Sequence, residues 1–407
     1  MIAPSLASRL AMLGALYLVQ GLPFGIQATV LPVLLRREGT SLELIGAASA
    51  LAAPWMGKIL WAPIVDARSS PRLGRRRTWI LPCQLGLTIA LVAASGLDPS
   101  RSLAALLALL FVMNLLTATM DVAVDGLAVE LLAPHELGPG NAAQVVGFKL
   151  GMIATGGLLL AAVARIGYEG LFLAAAGIVA VVLVATLAWR EPESAEAGVP
   201  TRAREVVRVL ALVARRPGVI WVLLFIATYK LGESAADTMW KPFLVDRGYD
   251  EARIGLWVGT YGMIASLVGS IAGGLVARRM AILSAVALTA ALRALPLAGQ
   301  CLLALAGASD EGVIAVTLSE HFFGGALTTT MFAFMMSQVD RRIGGTHFTA
   351  LAAVEVLGKS PAALLSGVLA RHLGYAGVFG VASALSLLFL VTLVPIRRAK
   401  PTQGAGG

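Results

Sequence analysis

From Leu10 to Pro395 the sequence is a succession of apolar runs about 20 residues long, broken by short polar or basic stretches. As helix, a run of that length matches the hydrocarbon thickness of a bilayer. Inside lipid every backbone N–H and C=O must be satisfied within its own segment or within a closed barrel. The runs are continuous and do not alternate apolar with polar residues, which disfavours a barrel. The expected fold class is therefore all-α and polytopic. Composition agrees, with 58% hydrophobic residues, only 14% charged and a mean hydropathy of +0.83. Average soluble proteins carry roughly 25% charged residues and need them to cover their surface. A soluble enzyme, a secreted disulfide scaffold and a disordered chain are excluded.

Apolar runs read against charged breaks give twelve expected transmembrane spans. The first six are 10–35, 44–65, 78–97, 103–130, 142–164 and 169–189, and the second six are 217–244, 253–277, 280–306, 312–338, 345–370 and 375–395. Between the sets lies 190–216, with Pro192, Pro200, four glutamates and six arginines. The expected organisation is a six-helix bundle over 1–189, a cytoplasmic linker over 190–216, a second bundle over 217–396 and a cytoplasmic tail over 397–407. If the N-terminus is cytoplasmic, 19 Lys and Arg residues fall on that side and 7 on the other, which places both termini in the cytoplasm. The net charge of +9 is spread over these loop clusters, so no nucleic-acid partner is expected. Cys83 and Cys301 stand alone in apolar runs, without metal or disulfide spacing. No cleavage pattern follows the first run, which is expected to act as its own insertion signal.

The two halves repeat each other. Pro32, Leu34, Arg37, Gly39 and Ile45-Gly46 are echoed by Pro242, Leu244, Arg247, Gly248 and Ile254-Gly255. Ala164-Arg165-Ile166-Gly167-Tyr168 is echoed by Ala370-Arg371-His372-Leu373-Gly374-Tyr375. The first echo joins spans 1–2 and 7–8, the second spans 5–6 and 11–12. Matched positions in halves of the same orientation predict two pseudo-symmetric bundles related by an axis along the membrane normal.

This pattern resembles the major facilitator superfamily. The loop after span 2 reads Trp61-Ala62-Pro63-Ile64-Val65-Asp66, then Arg68, then Gly74-Arg75-Arg76-Arg77, and is similar to that superfamily's acidic-then-basic signature in a lengthened form. Asp66, Arg68, Gly74, Arg75, Arg76 and Arg77 form a candidate gating loop; the arginines also serve positive-inside retention. Within the superfamily the chain resembles the muropeptide permease (AmpG) group and its relatives, the acetyl-CoA transporters. The matching residues are Gly57-Lys58 with Leu60-Trp61, Ala118-Thr119-Met120-Asp121 with Val124-Asp125, Gly147-Phe148-Lys149-Leu150-Gly151, and Tyr229-Lys230-Leu231-Gly232-Glu233. Met120 stands where the group usually has glutamine. The resemblance implies proton-coupled import of an amphiphilic, partly anionic solute, with cell-wall muropeptides first.

Ionisable groups inside spans are costly and mark ion or substrate pathways by default. Six bases (Lys58, Lys149, Lys230, Lys241, Arg293, Lys359) and six acids (Asp121, Asp125, Glu233, Asp237, Glu320, Glu355) fall there. Equal numbers predict pairing. Asp121 and Asp125 share a helix face, with Lys58 and Lys149 as expected partners. Two carboxylates on one face do not both ionise cheaply, so this set suits proton coupling or a static helix lock. Lys230, Glu233, Asp237 and Lys241 form one stripe, either self-satisfied or facing a central cavity. Glu355 and Lys359 are expected to neutralise each other, and Glu320 to pair with Arg293 or His321.

The proton-coupling candidates are Asp121, Asp125, Glu233, Asp237 and Glu320. The substrate-cavity candidates are Tyr17, Gln20, Lys58, Met120, Lys149, Tyr229, Lys230, Trp240 and His321. No P-loop, HExxH, CxxC or nucleotide fingerprint occurs, so no cofactor, metal or catalytic role is expected, and energy would come from a gradient. The expected function is alternating-access transport of a small-molecule substrate with protons, by a monomer in the lipid bilayer of a cell inner membrane. Transport of another bulky solute (acyl-CoA, siderophore or drug-like compound) stays open. So do a membrane enzyme using His135-Glu136 and a transport-dead receptor.

Overall fold

A computed structural model describes residues 5–68, 70, 73–99, 101–133, 136–189, 191, 218–338 and 344–399. Among these, eight helical stretches are long and apolar enough to cross a membrane, and two of the eight turn at a glycine and make two passes each. With 42–67 and Asp310–Gln338 this gives twelve rods. They are α1 (Leu6–Arg37), α2 (42–67), α3 (Arg77–Ser95), α4 (Leu103–Leu131), α5 (137–166), α6 (168–188), α7 (Val219–Asp246), α8 (Glu251–Arg279), α9 (Ile282–Ala306), α10 (Asp310–Gln338), α11 (344–373) and α12 (375–399). The rods overlie the twelve expected spans. The largest differences are the end of α12, four residues past the expected 395, and the starts of α1 and α5, which precede the expected 10 and 142 by four and five residues. Both α1 and α5 begin with a polar turn that hydropathy does not register, and in α5 this turn holds Pro139, which suits a helix start.

Both sequence echoes are echoes of backbone geometry. Gly39 and Gly248 have φ of 73° and 85°, and Gly167 and Gly374 both have φ of 67°. A side chain is strained at such angles, so glycine recurs where the chain must turn from one rod to the next.

Prolines shape α2. Pro54 and Pro63 lack the N–H that an α-helix would bond to the carbonyl four residues back. The helix accordingly tightens to 3-10 turns at Ala48–Ala52 and Lys58–Leu60. Three other stretches widen to π turns: Ile26–Val30, Ile153–Leu159 and Gly255–Gly262. Irregular backbone at membrane depth is tolerated where protein or a water-filled cavity satisfies it.

The chain divides into two compact units, 1–40 with 48–196 and 244–263, and 41–47 with 197–243 and 264–407. The expected linker 190–216 lies, apart from Glu191, outside the described residues.

In the first unit α1 lies along α5. Gly21 and Gly25 pack on the backbone of Phe148, Gly151 and Met152, and Gly147 on Gly14. A β-carbon at Gly21 would collide with the Phe148 carbonyl oxygen. Small residues give van der Waals contact in lipid, where hydrophobicity drives no association. Residues 244–263 join this unit because Gly255 and Gly259 seat α8 against Gly156, Gly157 and Ala161 of α5. Arg36 adds a two-pronged bond to Asp246 at 2.5 and 2.6 Å, and Arg37 contacts Glu251 at 3.0 Å.

In the second unit α9 packs on α10. Gly269 and Gly273 of α8 meet Phe322 and Ala326 of α10, and Gly232 of α7 meets Ala382 and Ser386 of α12. Phe225, Phe334 and Phe389 cluster with ring centroids 5.2 Å apart from Phe225 to each neighbour. Gly46 seats the start of α2 on Leu364 and Gly367, and Glu43 bonds Arg371 at 3.0 Å.

Candidate functional site

Each unit holds one polar cluster at membrane depth. In the first, the face of α4 that carries Asn114, Asp121 and Asp125 collects partners from α1, α2 and α5. Lys58 forms an ion pair with Asp121. Asp125 accepts the Tyr17 hydroxyl at 2.7 Å and the Gln144 amide at 3.4 Å. The two aspartates therefore differ: one is held by a cation, the other by neutral donors. Higher on the same face, the Trp55 indole donates to Asn114 Oδ1 at 2.9 Å, and the Asn114 amide donates to Gln27 at 2.7 Å. Lys58 lies 5.5 Å from the Trp55 ring centre. Its side chain keeps 27% of its surface, so the space beside it must be aqueous, because lipid does not accept a bare ammonium.

The irregular path of α2 is what brings Trp55, Lys58 and Trp61 onto α4. Trp61 donates to the Thr119 hydroxyl at 3.1 Å. Gln20 of α1 is fully buried, and neither end of its amide finds a hydrogen-bond partner. Met120 is buried in α4, and Lys149 is half-buried on α5.

In the second unit the expected stripe on α7 splits. Lys241 pairs with Asp237 along the helix, the self-satisfied arrangement. Lys230 and Glu233 reach other helices. Lys230 meets Glu355 of α11 at 3.0 Å, and Glu233 lies 3.6 Å from the Arg293 guanidinium of α9. Arg293 also pairs with Glu320 of α10. Glu355 and Lys359 are not a closed pair: Lys359 stands 3.6 Å away, while Lys230 is nearer. Both expected partners of Glu320 are realised, since His321 Nδ1 lies 2.5 Å from its other oxygen. That nitrogen also faces the Thr317 carbonyl at 3.0 Å, so it carries the ring proton. Trp240 is buried, stacked on Phe243, and donates to the Thr317 hydroxyl at 3.2 Å; Tyr229 is buried against Phe389.

The candidate gating loop is anchored within the first unit. Arg76 is buried and bonds Glu130 at the end of α4 at 2.7 and 3.0 Å; Arg75 meets Glu130 at 3.2 Å. The N–H groups of Arg76 and Arg77 donate to the Glu191 carboxylate at 3.0 and 3.1 Å, capping the start of α3 with an anion where the helix dipole favours one. Gly74, at φ 94°, lies against the same carboxylate. Arg68 is exposed. The Asp66 side chain lies outside the described residues. Glu136 accepts two bonds from Arg9 at 2.9 Å and one from the Ala133 N–H, which gives it a structural task; His135 lies outside the described residues.

Sequence reasoning missed Gln27, Asn114, Glu130 and Glu191. Asn114 had a signal, since it precedes Asp121 by two helical turns on one face. Glu130 and Glu191 had none, because their partners are far away in the chain.

Comparison with known proteins follows the same lines. A family model described as acetyl-coenzyme A transporter 1 matches residues 9–162. The chain is similar to the anhydromuropeptide permease of Escherichia coli strain K12, with 29% identity over 94% of this chain and 79% of the relative. Among solved structures it is similar to a bacterial homologue of the human lysosomal transporter Spinster in an inward-facing, unoccupied conformation. That match has TM-score 0.76 and 14% identity, and covers 98% of this chain and 99% of the other. It is also similar to a POT family transporter in complex with a thioalcohol-conjugated peptide, with TM-score 0.73 and 13% identity over 96% of each chain. With twelve rods, repeated corners and paired intramembrane charge, the chain is a multi-pass membrane transporter with the major facilitator fold, and it resembles the anhydromuropeptide permeases.

Proposed function

We propose that this chain is a proton-coupled secondary transporter that imports a bulky amphiphilic solute, with an anhydro-muropeptide as the first candidate, by alternating access. It works as a monomer in a bacterial inner membrane with both termini in the cytoplasm. Each six-helix half supplies one polar cluster, and Asp125 is the coupling acid. The observation that carries this reading is the asymmetry of the aspartates. Asp121 is neutralised by Lys58, whereas Asp125 is held by a tyrosine hydroxyl and a glutamine amide. A buried carboxylate with no cation of its own exchanges a proton at the least electrostatic cost, because its neutral form leaves no partner charge stranded. Protonation at Asp125 would lower the cost of moving the cluster through a closed state. Resemblance to the E. coli permease supports the solute class. The acetyl-coenzyme A transporter match over 9–162 supports a second reading, an acyl-CoA as the cargo.

The test is uptake of labelled anhydro-muropeptide into proteoliposomes with and without an inward proton gradient, beside acetyl-CoA. Gradient-driven muropeptide uptake that Asp125→Asn abolishes, with exchange of preloaded solute retained, is the expected result. Uptake indifferent to the gradient in the native protein would remove the coupling claim. Uptake of acetyl-CoA alone would move the solute to the second reading.

A further inference from the structure

The cluster in the second unit has a charge balance that is complete in number and incomplete in contact. Its four bases, Lys230, Lys241, Arg293 and Lys359, match its four acids, Glu233, Asp237, Glu320 and Glu355. Two of the bases share one carboxylate: Lys230 and Lys359 stand 3.0 and 3.6 Å from the same oxygen of Glu355. That corner carries an excess positive charge. Arg293, 1% exposed, gives one end of its guanidinium to Glu320 and leaves Nε and Nη1 without a hydrogen-bond partner. The compensating anion is Glu233. Its Oε2 is buried without a hydrogen-bond partner, 3.6 Å from Arg293 Nε, too far for a hydrogen bond. Glu233 thus balances the cluster through an ion pair that closes no hydrogen bond.

We propose that Arg293, Lys230 and Lys359 form a binding site for an anionic group of the cargo, a carboxylate in the first instance, and that Glu233 is the counter-ion which yields to it. The inference deepens the transport reading above and rests on it for the identity of the cargo. Space for the group exists where it is needed. The side chains of Glu233 and Lys359 keep 23% and 32% of their surface, and ionised groups at membrane depth keep open surface only toward water. Glu320 takes Nη2, the nitrogen common to both two-donor edges of the guanidinium, so Nε and Nη1 each offer an arriving anion a single charge-assisted N–H.

An arriving carboxylate would leave the balanced cluster one negative charge in excess. One proton restores neutrality, and Glu233 Oε2 is the acceptor that no donor occupies. No other bond changes. The charged and titratable groups around Glu233 are Tyr229, Lys230 and Asp237 on its own helix, Arg293 from α9, Glu320 and His321 from α10, and Glu355 and Lys359 from α11. Each of the other acids has a base within hydrogen-bonding distance, whereas Glu233 has only its 3.6 Å ion pair with Arg293, so a proton there breaks the weakest pair of the cluster. Anion entry and proton entry are thereby linked at this site, apart from Asp125.

Neutralising Glu233 should create the anion site without any cargo. The native protein, Glu233→Gln and Glu233→Gln/Lys359→Gln are purified in detergent. Their thermal unfolding is followed in inorganic phosphate and in chloride of equal ionic strength. Phosphate is expected to raise the melting temperature of Glu233→Gln by several degrees over chloride. The native protein at neutral pH and the double variant should respond little, since binding to the folded state alone stabilises it. Equal phosphate responses in all three proteins, or none in Glu233→Gln, would overturn the assignment. A second arm compares uptake of anhydro-muropeptide with that of its carboxyl-amidated form. The native protein should prefer the free acid by roughly tenfold, and Lys359→Gln should lose that preference. Equal uptake of both forms by the native protein would refute the site as a cargo site. A phosphate response with no uptake of either form would keep the anion site and remove the muropeptide.

Discussion

Lys58 and Asp121 illustrate what a charge pair at membrane depth demands of its surroundings. Asp121 is 6% exposed, and an ionised carboxylate there is tolerable only while the ammonium remains. Removing one partner of a buried pair costs about 3–5 kcal/mol where both groups are fully buried, and less here because Lys58 keeps some water. Lys58→Ala should therefore destabilise the protein more than Lys58→Ala/Asp121→Ala, although the double variant removes more atoms. Thermal unfolding of the three proteins in one detergent reads this directly, and a double variant weaker than the single would contradict it. Gln20 poses the opposite case. Its amide is buried at 0% exposure with no hydrogen-bond partner at either end. An unsatisfied buried amide costs about 1–3 kcal/mol, which an apolar side chain of similar shape avoids. Gln20→Met is expected to raise the melting temperature and to lower solute uptake, the pattern of a residue kept for binding at the expense of stability. A variant that is more stable and equally active would show that Gln20 has no part in transport.

At the scale of elements, the helices are held by glycines that face a neighbouring backbone, and such positions differ sharply from other glycines. Gly259 of α8 meets the carbonyl of Gly156 in α5, where a β-carbon would collide with backbone that has no room to give. Gly177 of α6 has nothing within 4 Å of such an atom. Gly259→Ala should separate the two helices and lower both melting temperature and uptake. Gly177→Ala should be neutral, or stabilising by about 0.5–1 kcal/mol through reduced freedom of the unfolded chain. Equal effects at the two sites would refute this account of the packing. The contrast was partly legible in advance: Gly255 and Gly259 are spaced one turn apart, as close helix contacts require. Which helix they meet was not, because the partner glycines lie in the other half of the sequence. The same limit applied to Arg76, whose buried bond to Glu130 spans 54 positions of chain. Hydropathy and spacing reveal a rod and its polar face; choosing among six acids for each base requires the packing itself.

For the molecule as a whole, the sequence carried the count of rods, the repeat and the corners, because each is written locally in about 20 residues of apolar run or in a glycine at a turn. The polar clusters were legible as sets and only partly as pairs: Lys58 with Asp121 and Arg293 with Glu320 were anticipated, while the junction of Lys230 with Glu355 was not. Orientation is the property that charge alone predicts. Positive residues near span ends are retained on the cytoplasmic side, and the division here is 19 to 7 if the chain begins there. The stretch 68–77 at the α2–α3 corner contributes five arginines, second only to the six of 190–216, against the one arginine, Arg101, between α3 and α4. A variant with Cys83 and Cys301 replaced by alanine is the starting point, followed by single cysteines at Leu73 and Asp98. In intact cells a membrane-impermeant maleimide should label the cysteine at 98 and spare the one at 73, with both labelled after permeabilisation. The reverse pattern would invert the protein, and with it the sense in which a proton gradient could drive import. Replacing Arg72, Arg75 and Arg77 by glutamine, leaving the buried Arg76 and its bond to Glu130 in place, should weaken this bias and yield a fraction of molecules labelled at 73.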